Sequence, residues 1–213
     1  MPDPSAAYDD ALRLAAVVHA GQRWKGTTLP YVTHVVRVSR HLEQAGAPPP
    51  LVHAGLLHDT LEDLEDSPAL RTALREVDPA FEAPPGDEAL RAGVVRLIDE
   101  RIGVETRVLV EAVTAPSSGG DEDAATRRAR RDAQLAHLRH AADDVVRLKA
   151  ADTWANVTEL AREVASRGAT GARVKVPVEE LRWYYGEVVA IVRARLGPDD
   201  VLAATLEMAF EAL

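Results

Sequence analysis

Three short segments carry side chains that together can hold a cation and work on water. They are PYVTH, ending at His34; HDTLED, with His58, Asp59, Glu62 and Asp63; and KAADTWAN, with Lys149, Asp152 and Asn156. On a helix, His58 and Glu62 share a face, as do Asp59 and Asp63, because each pair is four residues apart. His58 and Asp59 are adjacent and project about 100° apart, so both reach one ion near the helix surface. HDTLED follows the apolar run LVHAGLL, which places its ionisable groups against a core. Charged groups there are unfavourable unless something pairs them. A divalent cation is such a partner, and mixed imidazole and carboxylate donors suit Mn²⁺, Fe²⁺ or Co²⁺ better than a thiolate-type zinc site does. His34, His58, Asp59 and Asp152 offer two nitrogens and two carboxylates. That set leaves coordination positions for water and substrate, as a catalytic metal site requires.

These segments have to be brought together by helices, and the pattern supplies them. Ser5 starts a first helix reaching about His19, with Leu12, Ala15, Ala16 and His19 on one face. Residues 21–30 form a polar loop. Thr33 opens a second helix, THVVRVSRHLEQ, which stops at Gly46 and three prolines. A third begins near Leu51 and is expected to run through LVHAGLLHDTLED as one continuous helix. Ser67-Pro68 reads as an N-cap followed by proline in the first turn. Residues 78–87 read as a surface excursion, and helical period returns over about 88–101 and 104–113. Residues 115–123, APSSGGDED, are loop-like. Helices follow over about 124–141, 143–166, 177–196 and 199–212. No alternating strand pattern appears. The expected fold is all-α: one single-domain helical bundle over 1–213 with about nine or ten helices. Inward side chains from several packed helices are a common way to build a metal site.

Composition narrows the function further. The chain has 213 residues, with 25 Lys plus Arg against 34 Asp plus Glu, a formal charge of −9. A chain of this length buries enough apolar surface to fold without a structural metal. It contains no cysteine, which excludes disulfides, iron–sulfur sites and thiol catalysis. The acidic balance argues against a duplex nucleic-acid binder, which neutralises phosphates with Lys and Arg. It leaves room for a small anionic ligand in a local basic pocket. No apolar run is long enough to cross a bilayer, and MPDPSAAYDDALRL is not a signal peptide, so no membrane role and a cytoplasmic location are expected.

Taken together, QRWKGTTLPYVTH, LLHDTLED and VRLKAADTWAN make the chain resemble the HD-domain metal-dependent phosphohydrolases. Within them it resembles the hydrolase domain of the RelA/SpoT family, and its length makes it most similar to the small stand-alone alarmone hydrolases. The resemblance covers roughly residues 8–196 and implies the all-α HD-domain fold and Mn²⁺ as cofactor. It also implies removal of the 3′-pyrophosphate from guanosine tetra- or pentaphosphate (ppGpp or pppGpp), giving GDP or GTP and pyrophosphate. By position, the metal ligands would be His34, His58, Asp59 and Asp152. Glu62 and Asp63 match the acidic pair that orients and deprotonates water. Arg23 and Lys25 match basic residues lining the nucleotide pocket, Tyr31 a pocket wall, and Asn156 a nucleoside contact. Relatives carry basic residues where Thr153 and Thr158 stand, and about two dozen residues around 65–92 look inserted.

Two further groups bear on substrate. Arg127, Arg128, Arg130 and Arg131 read either as a solvated helix face balancing nearby acids or as phosphate-binding forks. Trp24, in the polar loop beside Arg23 and Lys25, is the expected base-stacking residue. Lys149 reads as a helix-supporting lysine. The partner expected is a small-molecule nucleotide, with a homodimer left open. Two other functions stay in view. One is HD chemistry on another nucleotide, such as the 2′-phosphate of NADPH or a deoxynucleotide. The other is a regulatory nucleotide-binding module without turnover, against which a water-activating Glu62 and Asp63 argue.

Overall fold

A computed structural model describes residues 4–24, 27–62, 64–114 and 123–213. Lys25, Asp63 and most of the loop expected at 115–123 lie outside the described residues. Among those described there are ten α-helices: α1 (Pro4–Val18), α2 (Val32–Gln44), α3 (Pro49–Leu57), α4 (Pro68–Val77), α5 (Asp87–Arg101), α6 (Val104–Val113), α7 (Ala124–His140), α8 (Asp143–Arg167), α9 (Val178–Leu196) and α10 (Val201–Glu211). The all-α expectation holds. An isolated antiparallel bridge pairs Arg23 with Pro30. None of the described helices is long and apolar enough to cross a membrane.

The chain forms two compact units. In the first, which holds α1–α6, every residue of α3 from Leu51 to Leu57 is buried. A nine-residue helix that is apolar all round has to be surrounded, and α1, α2 and α6 pack on it. α2 crosses closest, at Gly55. A Cβ there would lie 2.8 Å from the Ser39 Cα, and the Ser39 hydroxyl donates to the Val52 carbonyl at 2.9 Å. The crossing sets the spacing between His34 on α2 and His58 at the end of α3. Alanine would add helix propensity worth about 1 kcal/mol at this position. Its methyl would meet backbone, however, and backbone cannot swing aside. Gly55→Ala is therefore expected to destabilise by about 1–3 kcal/mol, read as a lower denaturation midpoint at unchanged m-value.

α4 begins as its sequence predicts. The Ser67 side chain accepts from the Leu70 amide at 3.2 Å, and Pro68 occupies the first turn. The third helix departs from expectation. It stops at Leu57, and residues 58–62 continue as turns, with Thr60 N–H donating to Leu57 O at 2.9 Å and Glu62 N–H to Asp59 O at 3.1 Å. These are three-residue bonds, tighter than the α-helical ladder. The change falls where the apolar run gives way to HDT, although His58, Thr60 and Leu61 stay buried.

The second unit holds α7–α10. α8 packs on α9 and α10. Val157, Leu160, Val178 and Leu213 form a buried cluster, with Leu181, Tyr185 and Phe210 against it.

Candidate metal centre

In the first unit, His34, His58 and Asp59 each offer a ligand atom, and these atoms lie within 4.8 Å of one another. His34 is 1% exposed and His58 4%. Both are fixed by the α2–α3 crossing, with ring centroids 5.3 Å apart at 61°. The Nδ1 of His58 lies 3.0 Å from the Gly55 carbonyl. A carbonyl only accepts, so Nδ1 carries the hydrogen and Nε2 the lone pair. That Nε2 faces Asp59 Oδ2 at 3.1 Å, while His34 Nε2 lies 3.9 Å from the same oxygen. Lone pairs at that separation repel unless a proton or a cation lies between them. Two buried imidazoles and a carboxylate, one imidazole oriented by a carbonyl, are a donor set that fits a divalent first-row ion.

The remaining support comes from the segment before α2. Trp24 N–H donates to Leu29 O and Tyr31 N–H to Gln22 O, both at 3.0 Å. This hairpin-like turn delivers the Tyr31 hydroxyl to Asp59 Oδ2, to which it donates a short hydrogen bond. The ring of Tyr31 packs on His19, whose Nδ1 lies 2.7 Å from Gln22 Oε1. Tyr31 was expected at the wall of a nucleotide pocket; it is half-buried, and its hydroxyl orients a candidate ligand. Such outer contacts typically change metal affinity by about 10–100-fold. Tyr31→Phe is expected to weaken binding of a divalent ion within that range while keeping the fold, as read by titration calorimetry and a thermal melt.

Trp24 needs a correction. It is 5% exposed, its ring centroid lies 5.1 Å from that of His34, and the Arg37 guanidinium lies 5.7 Å from the ring. It packs the back of the His34 imidazole and is not an open platform for a base. A tryptophan in a polar loop reads as exposed; the bridge between Arg23 and Pro30 is what turns it inward. Arg23 itself is exposed, as is Glu62. His41, in the core side of α2, is pushed down to about 4 by burial and then by Arg37, so it stays neutral.

The second unit holds Asp152, Lys149 and Asn156 on α8. Asp152 is 8% exposed. Its Oδ2 pairs with Lys149 Nζ at 2.8 Å, and its Oδ1 accepts from Asn156 Nδ2 at 2.7 Å. Lys149 and Asn156 thus grip both oxygens of the carboxylate from one turn on either side, the spacing a helix provides. Thr153 is 1% exposed and faces the core, so this position contributes nothing to a charged pocket.

The arginines of α7 are tied to protein partners. Arg127 Nε donates to Glu180 Oε1 at 2.9 Å, and Arg131 Nη1 to the same oxygen at 2.7 Å. Both hold the Glu180 carboxyl below its usual range. Arg128 pairs with Asp132 at 3.2 Å and lies 3.4 Å over the Trp183 ring. Arg131 is 7% exposed. Neither reading from sequence included Glu180, which is 49 residues beyond Arg131 and leaves no local signal.

The comparisons agree with this architecture. No protein-family model matches the chain. Among solved structures it is similar to a metazoan ortholog of SpoT that hydrolyzes ppGpp and plays a role in starvation responses, with a TM-score of 0.66, 22% identity, and coverage of 99% of this chain and 97% of that one. The chain has the HD-domain fold. It is also similar to lmo0812 from Listeria monocytogenes, with a TM-score of 0.57 at 20% identity over 84% of this chain and 99% of that one. A GTP pyrophosphokinase from Streptomyces coelicolor is 44% identical over 55 residues, which are 26% of this chain and 6% of that protein. The resemblance to the RelA/SpoT group is thus present in both sequence and HD-domain fold.

Proposed function

We propose that the protein is a metal-dependent phosphohydrolase that removes the 3′-pyrophosphate of guanosine 3′,5′-bis(diphosphate) and its pentaphosphate. The observation that carries this reading is the His34–His58–Asp59 cluster with Glu62 three residues further on, on a fold shared with a protein that hydrolyzes ppGpp. His34, His58 and Asp59 would hold Mn²⁺, with Asp152 as the fourth ligand and the whole of 1–213 acting as one HD-type domain. A divalent ion there supplies charge stabilisation at the phosphoryl oxygens. Glu62, aided by Asp63, takes the proton from the attacking water. Water adds to the phosphorus bound to the 3′-oxygen, the bond between them breaks, and that oxygen leaves with a proton. Arg23 and Lys25 would meet the phosphates, and Asn156 would set Asp152. The product side is GDP or GTP and pyrophosphate, in a cytoplasmic setting.

A second reading keeps this chemistry and changes the nucleotide. Arg127 and Arg131 are engaged with Glu180 and Thr153 is buried, so fewer cations stand ready for a substrate with two diphosphates. A phosphate and pyrophosphate release screen over ppGpp, pppGpp, NADPH and deoxynucleotides, with and without Mn²⁺, separates the readings. Pyrophosphate from ppGpp that needs Mn²⁺ supports the first, and release from another nucleotide alone replaces it with the second. No release from any of them removes both.

A further inference from the structure

The turn that carries Glu62 is braced from the inserted segment. Once α3 stops at Leu57, the carbonyls that follow lack the amides a continuing helix would bring them. Leu61 is 2% exposed, and a carbonyl buried there needs a partner. Arg91 provides it: its Nη1 donates to Leu61 O at 2.6 Å, one residue before Glu62. Arg91 sits near the start of α5, and that start is itself fixed. Asp66 N–H donates to Asp87 Oδ1 at 2.7 Å, and Gly86 N–H donates to Asp66 Oδ2 at 2.7 Å. Gly86 has φ 107, a conformation that favours glycine. Arg71 grips both Asp66 oxygens at 2.6 and 2.8 Å, and donates to Ala83 O at 2.5 Å and Pro84 O at 2.7 Å. The two ends of the segment are closed on each other around Asp66 and Arg71.

We propose that Arg91 is a positioning residue for Glu62, and that the segment around 65–92 serves as the frame from which it acts. The role given to Glu62 rests on the hydrolase reading; the hold on the turn does not. Arginine suits the task because a long, permanently charged donor on α5 reaches a carbonyl 30 residues earlier in the chain. Without the bond, Leu61 O is stranded and the 58–62 turn is free to rearrange. A displacement of about 1 Å at a reacting group can lower a rate by as much as a hundredfold.

The test compares Arg91→Met and Arg91→Lys with wild type. Arg91→Met is expected to lower kcat by about tenfold or more, leave KM within about twofold, and keep the Mn²⁺ content. Amide exchange at Thr60 and Glu62 should accelerate by about tenfold, with the rest of the unit unchanged. Arg91→Lys, which keeps a donor, should restore most of both. A general loss of stability would instead lower the melting temperature and leave kcat per folded molecule intact. Wild-type kcat and exchange in Arg91→Met overturn the proposal, and so does an Arg91→Lys as impaired as Arg91→Met. If wild type turns over no nucleotide, the hydrolase reading falls, and amide exchange alone decides whether Arg91 holds the turn. Should Arg91→Met not fold, Asp66→Asn loosens the frame from its far end. Faster exchange at Thr60 and Glu62 in that variant supports the brace, and wild-type exchange overturns it.

Discussion

Asp59→Ala is expected to remove Mn²⁺ from the purified protein and, with it, all measurable hydrolysis. Asp59 Oδ2 is the atom on which the site converges: His58 Nε2 lies 3.1 Å away, His34 Nε2 3.9 Å, and the Tyr31 hydroxyl donates to it. It is also the one anionic donor among the three clustered ligands. Without it, two neutral imidazoles and the proposed Asp152 carboxylate would leave half of a divalent charge uncompensated in a site whose histidines are almost fully buried. An outer-contact substitution such as Tyr31→Phe reduces affinity by about 10–100-fold, so loss of the ligand itself should exceed a hundredfold. Elemental analysis and Mn²⁺ titration provide the readout. The folded state should survive, because the truncation relieves the close approach of Asp59 and His58 and leaves no buried charge behind. A variant with wild-type metal content would place the ion elsewhere and dismantle the assignment.

How far the sequence foretold this site depends on the range of the interactions. The pairing of His34 with His58 and Asp59 was legible, because an apolar helix ending in HD must set those side chains at the edge of a core. The Ser67 cap was legible for the same reason: a cap and its amide are three residues apart. The end of α3 was not. Helical periodicity continues through HDTLED, and His58, Thr60 and Leu61 stay buried, so nothing in the apolar pattern marks the tightening into turns. The consequence is chemical, since His58 and Glu62 do not share a helical face as their spacing suggested. Local polarity concealed the burial of Trp24 and the ties of Arg127 and Arg131. What decides them are partners distant in sequence, His34 for one and Glu180 for the others. Arg91 had no signal at all, because its bond to Leu61 joins residues 30 apart. Composition does not reveal contacts of that kind.

Glu62→Gln is expected to separate holding the ion from using it. Glu62 lies in the turn after the ligand pair, exposed where Asp59 is half-buried, and it is outside the His34–His58–Asp59 group. A carboxylate so placed is exposed and, on the hydrolase reading, accepts a proton from attacking water; an amide of the same shape cannot. General-base assistance typically contributes about 10²–10⁴-fold, so kcat should fall at least a hundredfold while Mn²⁺ content and the melting temperature stay near wild type. KM should change little, because the amide keeps the volume and the hydrogen-bonding reach of the side chain. The pH–rate profile adds a second readout. A base is active once deprotonated, so the acidic limb of the wild-type profile rises with pH, and in Glu62→Gln that limb should flatten. If Glu62→Gln loses its metal, Glu62 is a ligand and the division of roles fails. If it keeps both metal and wild-type rate, the proton is taken by another group, and Asp63→Asn becomes the variant in which the hundredfold loss has to appear.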